Sequence, residues 1–176
     1  MKTALIYGTC TGNTQIAAEL IRDEWADDQL EYREVSDVTP DELANYDLLI
    51  IGCSTWDVGE LQYDWNDIYD QLESGDFNLA GTQCVFFGMG DQSAYPDTYQ
   101  DAIGMLHERF QQAGASVGMG YTDPSEDTYE ASRAEMQDGK FCGLALDQDC
   151  QPTKTEPRIT AWVAQLKQEL QQTAAV

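Results

Sequence analysis

Basic residues are scarce in this chain. Nine lysines and arginines stand against 32 aspartates and glutamates, with one histidine, for a formal charge of −23. Such a surface repels nucleic acid and anionic membranes and argues against both as partners. It favours a basic protein partner, with fast association that weakens in salt. Solubility and adaptation to a salty cytoplasm explain the same acidity equally well. No apolar run approaches the ~20 residues of a membrane-crossing helix. The N-terminus has no basic segment leading into an apolar core, so no secretion signal is read. The five cysteines, Cys10, Cys53, Cys84, Cys142 and Cys150, are odd in number and scattered, without a Cys-x-x-Cys pair. That argues against a disulfide framework, a zinc site and an iron–sulfur cluster, and reads as reduced thiols in a cytoplasmic protein.

Apolar segments of two periods alternate along the chain. Lys2–Tyr7, Leu48–Gly52 and Cys84–Gly88 read as buried strands and Leu30–Val35 as a weak one. Thr39-Pro40-Asp41-Glu42 reads as an N-cap with proline at the first helical position. Helices are expected around Ile16–Ile21, Trp65–Leu72, Thr98–Gln112 and Ile159–Leu170. A fifth strand is suggested twice, at Ser116–Met119 and at Phe141–Leu146, around a polar acidic stretch from Thr122 to Gly139. The 176 residues suffice for one α/β domain, 1–176, with its own core. Strand–helix alternation predicts a doubly wound five-stranded parallel sheet, order 2-1-3-4-5, with helices on both faces. Its ligand belongs beyond the strands' C-terminal ends. His107 falls beside the Ile103, Leu106, Phe110 stripe of its helix and reads as solvated.

Three loops are expected to meet on that rim. Thr9-Cys10-Thr11-Gly12-Asn13-Thr14 closes the first strand and opens a helix, aiming amides and the helix dipole at one point. It lacks the Gly-Lys-Ser/Thr of nucleoside triphosphate loops and holds no cation. Two readings fit these six residues: a phosphate cup of amides and threonine hydroxyls, or a capped strand–turn–helix joint without a ligand. The other loops are Ser54–Glu60 and Gly88–Tyr95, each with glycines and a large aromatic, Trp56 and Tyr95. Rings on both sides of a slot suit a flat, mostly apolar ligand; either ring alone reads equally as packing.

Four segments in register resemble flavodoxins of the long-chain type. They are Thr9-x-Thr11-Gly12-x-Thr14, Gly52-Cys53-Ser54-Thr55-Trp56-x-x-Gly59-Glu60, Gly88-x-Gly90-Asp91-Gln92-x-x-Tyr95 and Gly139-Lys140-Phe141-x-Gly143-Leu144-Ala145-Leu146-Asp147. The similarity runs from about Lys2 to Leu170, with an insertion at about 120–139 splitting the last strand. The resemblance implies non-covalent FMN and a low-potential, one-electron carrier rather than an enzyme. A ferredoxin–NADP-type reductase is one implied partner, and the implied state is a monomer.

By position, Thr9, Cys10, Thr11, Gly12, Asn13 and Thr14 would hold the phosphate. Thr55, Trp56, Asp57, Val58 and Gly59 would flank the isoalloxazine on one side, and Gly88, Gly90, Asp91 and Tyr95 on the other. Asp91 or a neighbouring backbone group would meet its pyrimidine edge, and Asp149 the ribityl chain. Glu60, Asp64, Asp67, Asp91, Asp97, Asp147 and Asp149 would disfavour the anionic reduced flavin, each by ~0.5–1 kcal/mol. Asp57 followed by β-branched Val58, rather than a glycine, implies a semiquinone less stabilised than in glycine-bearing relatives. Two rivals share the fold: an FMN-dependent quinone or NAD(P)H reductase, and a cofactor-free signalling receiver.

Overall fold

The computed structural model describes residues 1–75 and 77–174. Five parallel strands form the sheet: β1 (Thr3–Tyr7), β2 (Glu31–Glu34), β3 (Leu48–Trp56), β5 (Gln83–Met89) and β6 (Leu144–Leu146), in the order β2-β1-β3-β5-β6. A two-residue strand, β4 (Glu60–Leu61), folds back antiparallel on the end of β3, pairing Thr55 with Leu61 and Trp56 with Glu60. The parallel order is the expected one. In β1 the apolar run alternates between faces, as the period of two requires. Ala4 and Ile6 join one core cluster, and Leu5 and Tyr7 the other.

Helices α1 (Asn13–Trp25) and α5 (Thr155–Ala174) cover one face, bringing Ile21, Ile159, Trp162 and Leu166 onto Leu5, Ile50, Val85 and Phe87. The short α2 (Pro40–Leu43), α3 (Asn66–Glu73) and α4 (Asp101–Gln112) cover the other, where Leu43, Ile68, Leu72, Ile103 and Phe110 meet Ile6, Leu49, Ile51 and Phe86. The cap before α2 forms as expected: Glu42 reaches back to accept the Thr39 N–H at 2.8 Å.

The last strand position departs from expectation. Ser116–Met119 is not a strand; Ser116 alone bridges the start of β5, exchanging bonds with Thr82 and Cys84. Its place beside the end of β5 is taken by β6, which pairs Phe87–Met89 with Leu144–Leu146. Phe141 instead bridges Thr122 and Glu135 in antiparallel sense. The chain between leaves the sheet to pack over α4. There Gly104 allows contact, since a Cβ on it would stand 2.4 Å from the backbone carbonyl of Arg133.

That covering also corrects the reading of His107, which is buried rather than solvated. Its Nε2 lies 2.8 Å from the Tyr121 hydroxyl and its ring meets Phe86 edge-on at 5.6 Å. The helix face that periodicity leaves to water is roofed by the 120–143 segment.

Candidate functional site

The C-terminal ends of β1, β3 and β5 point to one edge of the sheet, and their loops enclose a cavity of about 450 Å³. That size lies within the usual range for small-ligand sites. From the first loop, Thr11, Asn13 and Thr14 line it. From the second come Ser54, Thr55, Trp56 and Asp57, and from the third Met89, Gly90, Asp91 and Tyr95. A fourth segment adds Gln148 and Asp149.

The first loop is a cradle of unpaired amides. The Ile16 N–H is the first to reach a helical carbonyl, that of Gly12 at 2.9 Å, so Asn13, Thr14 and Gln15 N–H have no acceptor within the helix. Asn13 and Thr14 line the cavity, so the positive end of the α1 dipole lies at its edge. Thr9 turns inward to the loop itself, its Oγ1 accepting the Gly12 N–H at 3.0 Å. Cys10 is exposed on the loop's other side, where the buried Gln62 amide reaches its Sγ at 3.6 Å.

The second loop is held open by two left-handed residues, Asp57 at φ 44° and Gly59 at φ 83°. An aspartate there costs about 1 kcal/mol and persists only because its surroundings fix it. Trp56 is oriented by its Nε1–H, which donates to Ser54 Oγ at 2.8 Å. Thr55 Oγ1 accepts the Ala102 N–H at 3.1 Å, so this hydroxyl caps α4 while the residue walls the cavity.

The third loop is stapled to the fourth segment by a carboxylate. Asp147 is 1% exposed. Its Oδ2 accepts both N–H groups of Gln92 at 2.9 Å, and its Oδ1 accepts those of Asp149 at 3.1 Å and Cys150 at 2.8 Å. Asp91 Oδ1 accepts the Ser93 and Ala94 amides at 3.0 and 2.8 Å, and the Cys150 thiol approaches it at 3.5 Å. Ligand atoms of Asp91, Asp147 and Cys150 lie within 4.8 Å of one another, but both Asp147 oxygens and Asp91 Oδ1 already take these bonds. Asp147 therefore organises the loops instead of standing in an acidic rim. Asp91 Oδ1 is thus taken up by its own turn, while the residue also lines the cavity.

Ten of the residues singled out from sequence line the cavity: Thr11, Asn13, Thr14, Thr55, Trp56, Asp57, Gly90, Asp91, Tyr95 and Asp149. Thr9, Cys10, Gly12, Val58, Gly59 and Gly88 are absent from its walls. Val58 is 82% exposed. Gly88 lies within β5, where a Cβ would stand 2.2 Å from Gln100 Oε1; a packing contact explains that glycine. Ser54 and Met89, which belong to two of the expected loops, also line the cavity, as does Gln148. Gln148 alone lies outside the three expected loops; its place beside Asp149 is the signal that points to it.

A family model described as Flavodoxin matches residues 5–162, a span that includes all four cavity segments. A flavodoxin of Nostoc sp. is 46% identical over 168 residues, covering 96% of each chain. A flavodoxin of Synechocystis sp. is 44% identical over 171 residues, covering 97% of this chain and 98% of the other. Among solved structures, Fusobacterium nucleatum flavodoxin bound to flavin mononucleotide superposes with a TM-score of 0.87 at 29% identity, covering 96% of this chain and 99% of that one. Likeness at this level, sustained through the strands and the loops at their ends, makes the chain a member of the flavodoxin family.

Proposed function

We propose that the cavity holds FMN non-covalently and that the chain is a low-potential carrier of single electrons between redox proteins. One observation carries this reading: an amide cradle at the α1 N-terminus opens into the same cavity that Trp56 and Tyr95 wall. Bound FMN supplies a centre that accepts and releases electrons one at a time; the chain's residues supply the rest.

The amides of Asn13, Thr14 and Gln15, with the hydroxyls of Thr11 and Thr14, are suited to the phosphate. Trp56, steadied by Ser54, and Tyr95 are suited to the two sides of the ring, with Asp149 beside the ribityl chain. Tyr95 is 51% exposed, so its ring forms an outer wall of the site. A ring there obstructs the face a hydride donor would need, which favours a carrier over a reductase. The first cavity loop is hydroxyl-rich where a receiver module needs clustered aspartates, which disfavours that rival.

Charge supports the direction of the potential. Asp57, Glu60, Asp64 and Asp149 stand in or next to the cavity loops, and no lysine or arginine lies in residues 9–14, 54–60, 88–95 or 147–150. Added negative charge is therefore disfavoured there. The same rim suits a partner with a basic face, such as a ferredoxin–NADP-type reductase. The five free cysteines suit a reducing cytoplasm, and the 120–143 segment suits the long-chain group. No described helix is long and apolar enough to cross a membrane.

The test is a coupled assay. With NADPH and a ferredoxin–NADP-type reductase, the FMN-loaded protein should speed reduction of a haem protein in proportion to its concentration. Multiple turnovers of NADPH oxidation by the protein alone would instead establish a reductase.

A further inference from the structure

Asp101, the first residue of α4, is 7% exposed and joins two segments that are distant in sequence. Its Oδ1 accepts the Arg133 N–H at 2.7 Å. Its Oδ2 lies against Gly59, close enough that a Cβ on Gly59 would stand 2.6 Å away. The adjacent Ala102 N–H holds Thr55 in the same loop. The α4 N-terminus thus grips the Thr55–Gly59 turn at both ends. Within that turn Asp57 keeps a left-handed conformation that a non-glycine residue rarely adopts unaided.

We propose that Asp101 is a positioning residue for the redox chemistry: its carboxylate, seated between Gly59 and the Arg133 amide, fixes the 57–59 turn against the cavity, so that its charge state and the potential of the bound FMN are linked. This rests on the FMN reading of the cavity. The charge sets the direction of the link, and the turn's anchoring changes with it. An ionised Asp101 places a poorly solvated negative charge behind the cavity wall, which opposes further reduction. Protonation removes that charge and slackens the hold on the turn. Burial raises the Asp101 carboxyl above the ordinary range, while the Arg133 amide and guanidinium pull it back. Asp57 and Glu60 flank Gly59 in the loop, and Asp97 stands in the turn before α4. Linkage is reciprocal: if Asp101 ionisation shifts the potential, reduction must shift the Asp101 titration by the same free energy.

The experiment is spectroelectrochemical titration of FMN-loaded wild type and Asp101→Asn between pH 5 and 8. At neutral pH the variant should show a several-fold higher ratio of reduced to oxidised protein at a fixed applied potential. That gap should close as the wild-type carboxyl protonates. Should the variant fail to fold, carboxyl 13C NMR of the oxidised and fully reduced wild type decides, and Asp101 should titrate higher in the reduced protein. A gap constant across pH, no gap, or a titration unmoved by reduction overturns the proposal alone. A chain that takes up no FMN overturns the reading of the cavity, and this proposal with it.

Discussion

Both N–H groups of Gln92, backbone and side chain, donate to Asp147 Oδ2 at 2.9 Å. The other oxygen of Asp147 holds the 149–150 turn, so one buried carboxylate sets the distance between two cavity segments. Replacing it with alanine strands four donors. The expected loss is about 2–4 kcal/mol in urea unfolding, with FMN affinity of the surviving folded fraction down at least about tenfold. Unchanged affinity would mean that the loops keep their spacing without the staple.

The amide cradle at the α1 N-terminus, proposed to hold the phosphate, contains no cation, in a chain of charge −23. Raising ionic strength from 0.01 to 0.15 M shortens the screening length from about 30 to about 8 Å, which relieves repulsion of a dianion. FMN should therefore bind several-fold more tightly at the higher salt, whereas riboflavin, lacking the phosphate, should respond little. Fluorescence titration of the two ligands measures the contrast. FMN affinity that weakens with salt would point to a cation in the cup.

His107 should set the upper edge of acid sensitivity. Burial lowers its pKa in the folded protein, against the pull of the Val117 backbone and Glu108. The unfolded chain binds the proton first, so stability falls as pH drops below about 6.5 and levels off beneath the folded value. His107→Gln should flatten that limb of a urea-midpoint profile. Glu42 acts in a lower window: the Arg33 guanidinium, then the Thr39 amide, lowers its carboxyl to about 2. Its contribution is present above the unfolded value of 4.5 and is lost as pH falls toward 2.

Gly104 sits inside α4, where exchanging glycine for alanine ordinarily stabilises a helix by ~1 kcal/mol. Here the new methyl would meet the Arg133 carbonyl at 2.4 Å and the Ala134 nitrogen at 2.7 Å. Gly104→Ala should destabilise by about 1–3 kcal/mol, read from the urea midpoint. A stabilised variant would show that the 120–143 segment lifts off α4 readily.

The strands of the sheet's centre were legible because β1, β3 and β5 are buried on both faces and read as unbroken apolar runs. The cavity loops were legible because a strand followed by an amphipathic helix places its turn on the ligand edge. What escaped depends on contacts distant in sequence. His107 looked solvated because nothing local shows that the segment after Gly120 returns over α4. Asp147 looked like one more surface acid, since four donors gathered on one carboxylate leave no pattern in the chain. The close packing of Gly88 against Gln100, on the turn before α4, likewise has no local signature. The split final strand was visible as two apolar pieces, but not that only the second would pair along β5.

Addition of FMN to the cofactor-free chain, followed by visible absorbance and by quenching of flavin fluorescence, bears most directly on the cavity's role. One equivalent should bind tightly, with emission largely quenched against Trp56 and Tyr95 and the quenching reduced in Trp56→Ala. A chain that leaves FMN free and fully fluorescent, though folded, would contradict the reading of this cavity as a flavin site.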